Sequence, residues 1–327
     1  MTLIIKVDPR NPDVKKLEMV ADILKRGGLA AFPTETVYGL GANAFDENAV
    51  KRIFKVKRRP MDTPLPILIP DIEIIQDICE LNEIARKIID EFFPGPVTVI
   101  VKKKPKIPDV VTCGLEKVGI RMPDHKIALK ILELSNVPLA TPSANISGKP
   151  SPTRAEHVIE DFKGLIDVIV DGGQTGIGIE STVIDTTKDP PEILRIGAIP
   201  VEEIMSVVGE LKIVEKMKYP HYKPNARVYV VFGKEDIAKL KIKELTENLR
   251  KKGYRVGVVS EDIRSFDADE LVELDSDLQL VARKLFDILR TLDKKVDVIV
   301  FRGVSGSGLG RAIESRLKTL ADEIIYV

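Results

Sequence analysis

Leu29-Ala30-Ala31-Phe32-Pro33 reads as a short buried strand, and the chain runs straight from it into Thr34-Glu35-Thr36-Val37-Tyr38-Gly39-Leu40-Gly41. Loops at strand ends are where α/β folds place ligands. This loop offers neutral hydroxyls, and its two glycines would let backbone approach a ligand; equally, it could be a tight turn whose hydroxyls cap the next element. Upstream, Val14, Leu17, Val20, Ala21 and Leu24 recur at helical spacing, and Gly27-Gly28 stops that helix. Downstream, Asp46 precedes a second helix reaching about Lys55.

The same alternation continues outward. Strands are expected at Leu65 to Ile69, Val97 to Val101, Val118 to Met122, Pro138 to Thr141 and Val168 to Val170. Helices are expected at Asn82 to Glu91, Lys126 to Leu134, Arg154 to Glu160 and Val201 to Val208. Ser181 to Asp185 and Glu192 to Ile196 read as a closing β pair. Leu211 to Ala226, with Tyr219-Pro220-His221-Tyr222-Lys223-Pro224, breaks the pattern and reads as an extended linker. Strands at Val228 to Phe232, Val256 to Val259 and Val296 to Phe301 then alternate with helices at Glu235 to Lys252, Leu278 to Leu292 and Leu309 to Asp322. Such βαβ units imply a parallel sheet. The expected organisation is α/β throughout: a large domain over 1–210, a linker over 211–226 and a small Rossmann-like domain over 227–327.

Composition narrows the function. Of 327 residues 44% are hydrophobic, enough for a core in each domain, and 50 Lys+Arg balance 50 Asp+Glu. A neutral chain is a poor bulk binder of nucleic acid, although a local basic patch stays open. The composition, 31% charged and without Trp, fits a thermophile bias and ordinary solvated helix faces equally. Cys79 and Cys113 form no CxxC pair, which removes a thiolate zinc site. His125, His157 and His221 have no ligand spacing. The start of the chain lacks the apolar region and cleavage site of a signal peptide, and no apolar run approaches about 18 residues. The expectation is a soluble, cytoplasmic protein with no membrane contact.

Three further loops carry chemistry. Lys55-Val56-Lys57-Arg58-Arg59-Pro60 puts cations at a helix end, either as a match to the helix dipole or as a polyphosphate clamp. Thr141-Pro142-Ser143-Ala144-Asn145-Ile146-Ser147-Gly148-Lys149-Pro150-Ser151 could present N–H and hydroxyl groups to phosphate, and no Walker sequence occurs in the chain. Gly176-Ile177-Gly178-Ile179-Glu180-Ser181-Thr182 feeds a strand. In the small domain, Ser305-Gly306-Ser307-Gly308 before a helix could bind an anion, but a docking turn is the preferred reading.

Taken in order, Thr34 with its flanks, Lys57-x-Arg59-Pro60, Ser143-x-Asn145 and Gly178-Ile179-Glu180-Ser181-Thr182 resemble the YrdC/Sua5 family. The linker and Gly308-Leu309-Gly310-Arg311-Ala312 resemble its longer, Sua5-type members. That resemblance implies a twisted mixed sheet curved around a large basic cavity in the first domain. It also implies synthesis of threonylcarbamoyl-adenylate from L-threonine, bicarbonate and ATP with Mg²⁺, releasing pyrophosphate. The product would pass to a tRNA threonylcarbamoyl-transferase for modification of adenosine 37, and a weak contact with tRNA is a further implication.

Carried over by resemblance, Thr34, Arg121, Thr141 and Ser181 hold threonine. Lys57, Arg59, Ser143 and Asn145 form the catalytic set, and they hold ATP together with Thr63, Lys117, Ser151, Arg195 and Tyr222. Tyr222 would cover the ligand, with the linker and second domain as the lid. The sequence departs from the family where a histidine is common: Leu65-Pro66-Ile67-Leu68-Ile69 has none. Lys117 also stands where a hydroxyl residue is expected. Two rivals remain: a nucleic-acid-binding module, and an adenylate-forming enzyme acting on another acid such as serine.

Overall fold

The computed structural model describes residues 1–215 and 223–327. It divides into two compact units, Met1–Ser147 with Ser151–Lys218, and Gly148–Pro150 with Tyr219–Val327. The first unit passes the expected boundary at 210, because Lys212–Ile213 pairs in parallel with Glu192–Arg195 at the sheet edge. Residues 216–222 of the expected linker, Tyr222 among them, lie outside the described residues.

The first unit is built on a mixed sheet of twelve strands. From edge to edge these are Leu3–Lys6, Val168–Asp171, Ala30–Phe32, Gly39–Asn43, Leu139–Ala140, Ile67–Leu68, Lys117–Arg121, Val97–Lys103, Thr182–Asp185, Glu192–Arg195 and Lys212–Ile213. Cys79–Glu80 pairs separately with Val97–Lys103. Thr182–Asp185 and Glu192–Arg195 pair antiparallel, as the expected closing β pair.

Local chemistry explains the helices of this unit. Asp13, Asp46 and Asn82 each accept a main-chain N–H in the following first turn, starting the helices Val14–Lys25, Glu47–Lys57 and Glu83–Phe92. Val14–Lys25 buries Leu17, Val20, Ala21 and Leu24, and packs against Lys126–Ser135. Leu24 shares its core with Phe32, Ile131 and Val170. Truncating such a residue, Leu24→Ala, costs about 2–5 kcal/mol because the site collapses only partly.

One element differs from the sequence reading in a way that matters for the site. Gly39–Asn43, read as loop, is a strand paired with both Ala30–Phe32 and Leu139–Ala140. A Cβ on Gly39 would lie 2.5 Å from Thr141 Cγ2, and one on Gly41 would lie 2.8 Å from Phe32 Cε1. These glycines therefore serve close packing between neighbouring segments, where ligand approach was expected.

The second unit has five parallel strands in the order Glu270–Glu273, Val256–Ser260, Val298–Arg302, Arg227–Phe232, Glu323–Tyr326. The helices Glu235–Lys251, Leu278–Leu292 and Leu309–Leu320 follow the expected alternation. Both edge strands went unread, because half-exposed edges carry glutamates where a buried strand would be apolar. Among the described residues no helix is long and apolar enough to cross a membrane.

Candidate active site

The four loops singled out in the sequence meet through their main chains. Ile177 N–H donates to Glu35 O at 2.8 Å and Gly178 N–H to Thr36 O at 3.0 Å, joining the fourth loop to the first. Leu40 N–H reaches Pro142 O and Ala144 N–H reaches Tyr38 O, each at 2.8 Å, joining the third to the first. Ser147 N–H donates to Lys57 O at 2.9 Å, which brings in the cationic helix end. Tyr38 braces this arrangement from behind. It is fully buried, its hydroxyl donates to Gly173 O and accepts from Gly172 N–H, and burial pushes its pKa up.

The residues expected to hold threonine line this junction. Thr34 Oγ1 donates to Val37 O at 2.7 Å and stands 2.9 Å from Thr36 Oγ1. Arg121 ends the strand Lys117–Arg121, in register with Leu68, and Leu68, in the stretch where a histidine was expected, is buried in the core with Leu24 and Phe32. Arg121 Nη2 donates to Thr36 Oγ1 at 3.0 Å and lies 2.7 Å from Glu35 Oε1. Ser181 Oγ stands 2.8 Å from Thr98 Oγ1, and Arg195 clasps Ser181 by Nη2 to Oγ and Nε to O, both at 2.9 Å. Thr141 is buried beside Gly39, with its hydroxyl on Leu139 O.

The expected nucleotide residues are held by contacts within the protein. Lys57 is 1% exposed, and its ammonium donates to Ser143 O at 2.5 Å and Asn145 O at 2.6 Å. This cation therefore grips the third loop, and the run is split, since Lys55 and Arg58 face solvent. Ser143 Oγ donates to Asn145 Oδ1 at 2.6 Å. Arg59 leans on Thr63 O and Pro64 O at 3.3 to 3.4 Å, folding the exit of the helix back on itself. Ser151 is buried and donates to Glu180 at 2.5 Å. Lys117 donates to Asp185 at 2.5 Å. Burial alone would raise the Asp185 carboxyl, but hydrogen bonds from Lys117 and Thr187, with the Lys117 charge, hold it below its ordinary range.

Sequence reading missed Glu35, Thr98 and Glu180 as individual contributors. Thr98 had a signal, since it is the lone hydroxyl in the apolar run Val97 to Val101. Among the described residues no group of three or more His, Cys, Asp and Glu could hold a metal ion. Cys79 is buried and its thiol is pushed up to about 12 by desolvation, so it is inert.

Comparison with known proteins places this geometry. Residues 22–197 match the Sua5, YciO and YrdC family model, described as telomere recombination, and residues 199–321 match the threonylcarbamoyl-AMP synthase C-terminal domain. The chain is 49% identical to the threonylcarbamoyl-AMP synthase of Pyrococcus abyssi, covering 97% of both chains. It is 42% identical to the enzyme of that name from Bacillus subtilis, over 94% of this chain and 93% of the other. Its structure superposes on a crystal structure of P. abyssi Sua5 complexed with L-threonine with a TM-score of 0.97, at 48% identity and complete coverage of both. The chain belongs to the Sua5/YciO/YrdC family, in the two-domain form that carries the Sua5 C-terminal domain.

Proposed function

We propose that the protein is a threonylcarbamoyl-AMP synthase, a nucleotidyltransferase that joins L-threonine, bicarbonate and ATP and releases pyrophosphate. The observation that carries this reading is a full-length likeness to a protein crystallised with L-threonine, together with a buried Arg121 at the meeting point of the loops. Arg121 offers a fixed fork of donors to an amino-acid carboxylate. Thr34, Thr141 and Ser181 supply neutral hydroxyls for the threonine side chain.

Bicarbonate is a poor electrophile, and carbamate formation on threonine loses water. The resulting carboxylate then attacks the α-phosphate of ATP, expelling pyrophosphate. No side-chain nucleophile is required, so the work is positioning and stabilisation of charge on oxygen. Lys57 shapes the Ser143–Asn145 loop from below by its two carbonyl contacts. Arg59, Thr63, Lys117, Ser151 and Arg195 are assigned to ATP, and Tyr222 to covering it.

Mg²⁺ would enter as the counter-ion of ATP, because such an ion is commonly held by phosphates with only one or two carboxylates. It would offset charge on the leaving pyrophosphate. The acyl-adenylate is labile, so its acceptor would be a tRNA threonylcarbamoyl-transferase, with any tRNA contact by this chain weak. A cytoplasmic setting fits that use.

The test is pyrophosphate release by the purified full chain with Mg²⁺ and ATP. Release should need threonine and bicarbonate together. Equal release without bicarbonate would remove the carbamoylation step, and equal use of serine would remove the assignment to threonine.

A further inference from the structure

Arg121 is not alone at this junction of loops. Glu35 follows Thr34 in the first loop, and its main chain is pinned by the Ile177 N–H bond. Its side chain is 11% exposed and that of Arg121 is 9% exposed. Glu35 Oε1 lies 2.7 Å from Arg121 Nη2, within ion-pair distance but off the line a hydrogen bond needs. Among the described residues neither carboxylate oxygen of Glu35 has a hydrogen-bond partner, and Arg121 Nε has none.

Beside them, His125 Nδ1 is also buried without a partner. Burial holds the imidazole below its ordinary pKa, against the opposing charges of Glu35 and Asp124. A buried carboxylate with both oxygens unbonded is costly unless something fills it. Opposite charges presented side by side, each with unused hydrogen-bonding capacity, match a ligand carrying both charges on adjacent atoms.

We propose that Glu35 receives the α-ammonium of the amino-acid substrate while Arg121 takes its carboxylate. This rests on the assignment of threonine to the site. The pair then reads the α-amino acid as a zwitterion, and the hydroxyls of Thr34, Thr141 and Ser181 read its side chain. Glu35 also stands where a proton must go. Carbamate formation from an ammonium and bicarbonate yields the carbamate anion, one water and one net proton. A carboxylate bonded to the ammonium is the first acceptor for that proton as nitrogen becomes nucleophilic.

Calorimetry on the full chain separates this from a merely structural ion pair. The probes are L-threonine and 3-hydroxybutanoate, which keeps the carboxylate and hydroxyl but lacks the ammonium. Glu35→Gln should weaken threonine about ten- to a hundredfold and leave 3-hydroxybutanoate unchanged or tighter. Equal weakening of both would mean that Glu35 only orients Arg121, and tightening of both would mean that it competes with substrate; either result overturns the proposal. ATP affinity equal to wild type certifies that the variant is folded. If Glu35→Gln disturbs that affinity, Glu35→Asp supplies the same comparison. Failure of the wild-type protein to bind threonine at all would strike the functional assignment itself, a result distinct from those above.

Discussion

The ammonium of Lys57 stands 2.5 Å from the main-chain oxygen of Ser143, although 86 residues separate them in sequence. It also takes Asn145 O, so one buried cation fixes the loop expected to meet phosphate. Lys57→Met should lower the melting temperature, because hydrogen bonds from a charged donor contribute about 1.5–3 kcal/mol each. Turnover at saturating threonine should fall at least about tenfold, with the threonine KM little changed. Thermal melts and pyrophosphate assays measure the two effects. Normal turnover in a folded variant would remove Lys57 from the machinery.

Arg121→Ala should raise the threonine KM by about ten- to a hundredfold, the worth of a charged hydrogen bond. Serine should be poorer by about 1–3 kcal/mol in kcat/KM, the value of one methyl in a fitted pocket. Steady-state kinetics with both amino acids would decide, and an unchanged threonine KM in the variant would take Arg121 out of the site.

Asp185 gives a pH prediction. Its carboxyl is held below the ordinary aspartate value of 3.8 by Lys117 and Thr187, despite burial. A depressed folded pKa stabilises the protein above the ordinary value, and that stabilisation is lost as pH falls through the folded pKa. Lys117→Met should therefore destabilise the chain at neutral pH by about 1–3 kcal/mol, since it strips a buried carboxylate of a charged partner. The gap to wild type should shrink below pH 3.8. Denaturant melts at several pH values would show it, and a gap independent of pH would contradict the linkage.

Thr98→Val tests a residue that contacts Ser181. Its hydroxyl lies 2.8 Å from Ser181 Oγ, which Arg195 also holds. The swap keeps shape and removes one neutral hydrogen bond, about 0.5–1.5 kcal/mol. The threonine KM should rise a few-fold with little change in melting temperature. An unaltered KM would mean that Arg195 alone positions Ser181.

Much of the fold was legible. Asp46 ahead of its helix and the helical spacing of Leu17, Val20 and Leu24 placed helices within a few residues of their observed ends. Local signals suffice where one residue both ends a loop and satisfies a first-turn N–H. The strand Gly39–Asn43 was illegible because its glycines are required by neighbours, Thr141 and Phe32, that are remote or across a turn. The edge strands Glu270–Glu273 and Glu323–Tyr326 were illegible because pairing on one side needs no apolar pattern.

The site divides in the same way. Sequence alone determined which loops carry hydroxyls, amides and cations, and in what order, because residue type fixes donor, acceptor and charge. Only the tertiary structure decided their use. It turned Lys57 inward to the Ser143 and Asn145 carbonyls, paired Lys117 with Asp185, and set Glu35 beside Arg121. Glu35 and Arg121 lie far apart in the chain, and no local pattern encodes a contact that the register of strands and the pairing of loops bring about. A buried charge takes its role from whatever the fold places within reach, since desolvation leaves it no solvent to fall back on.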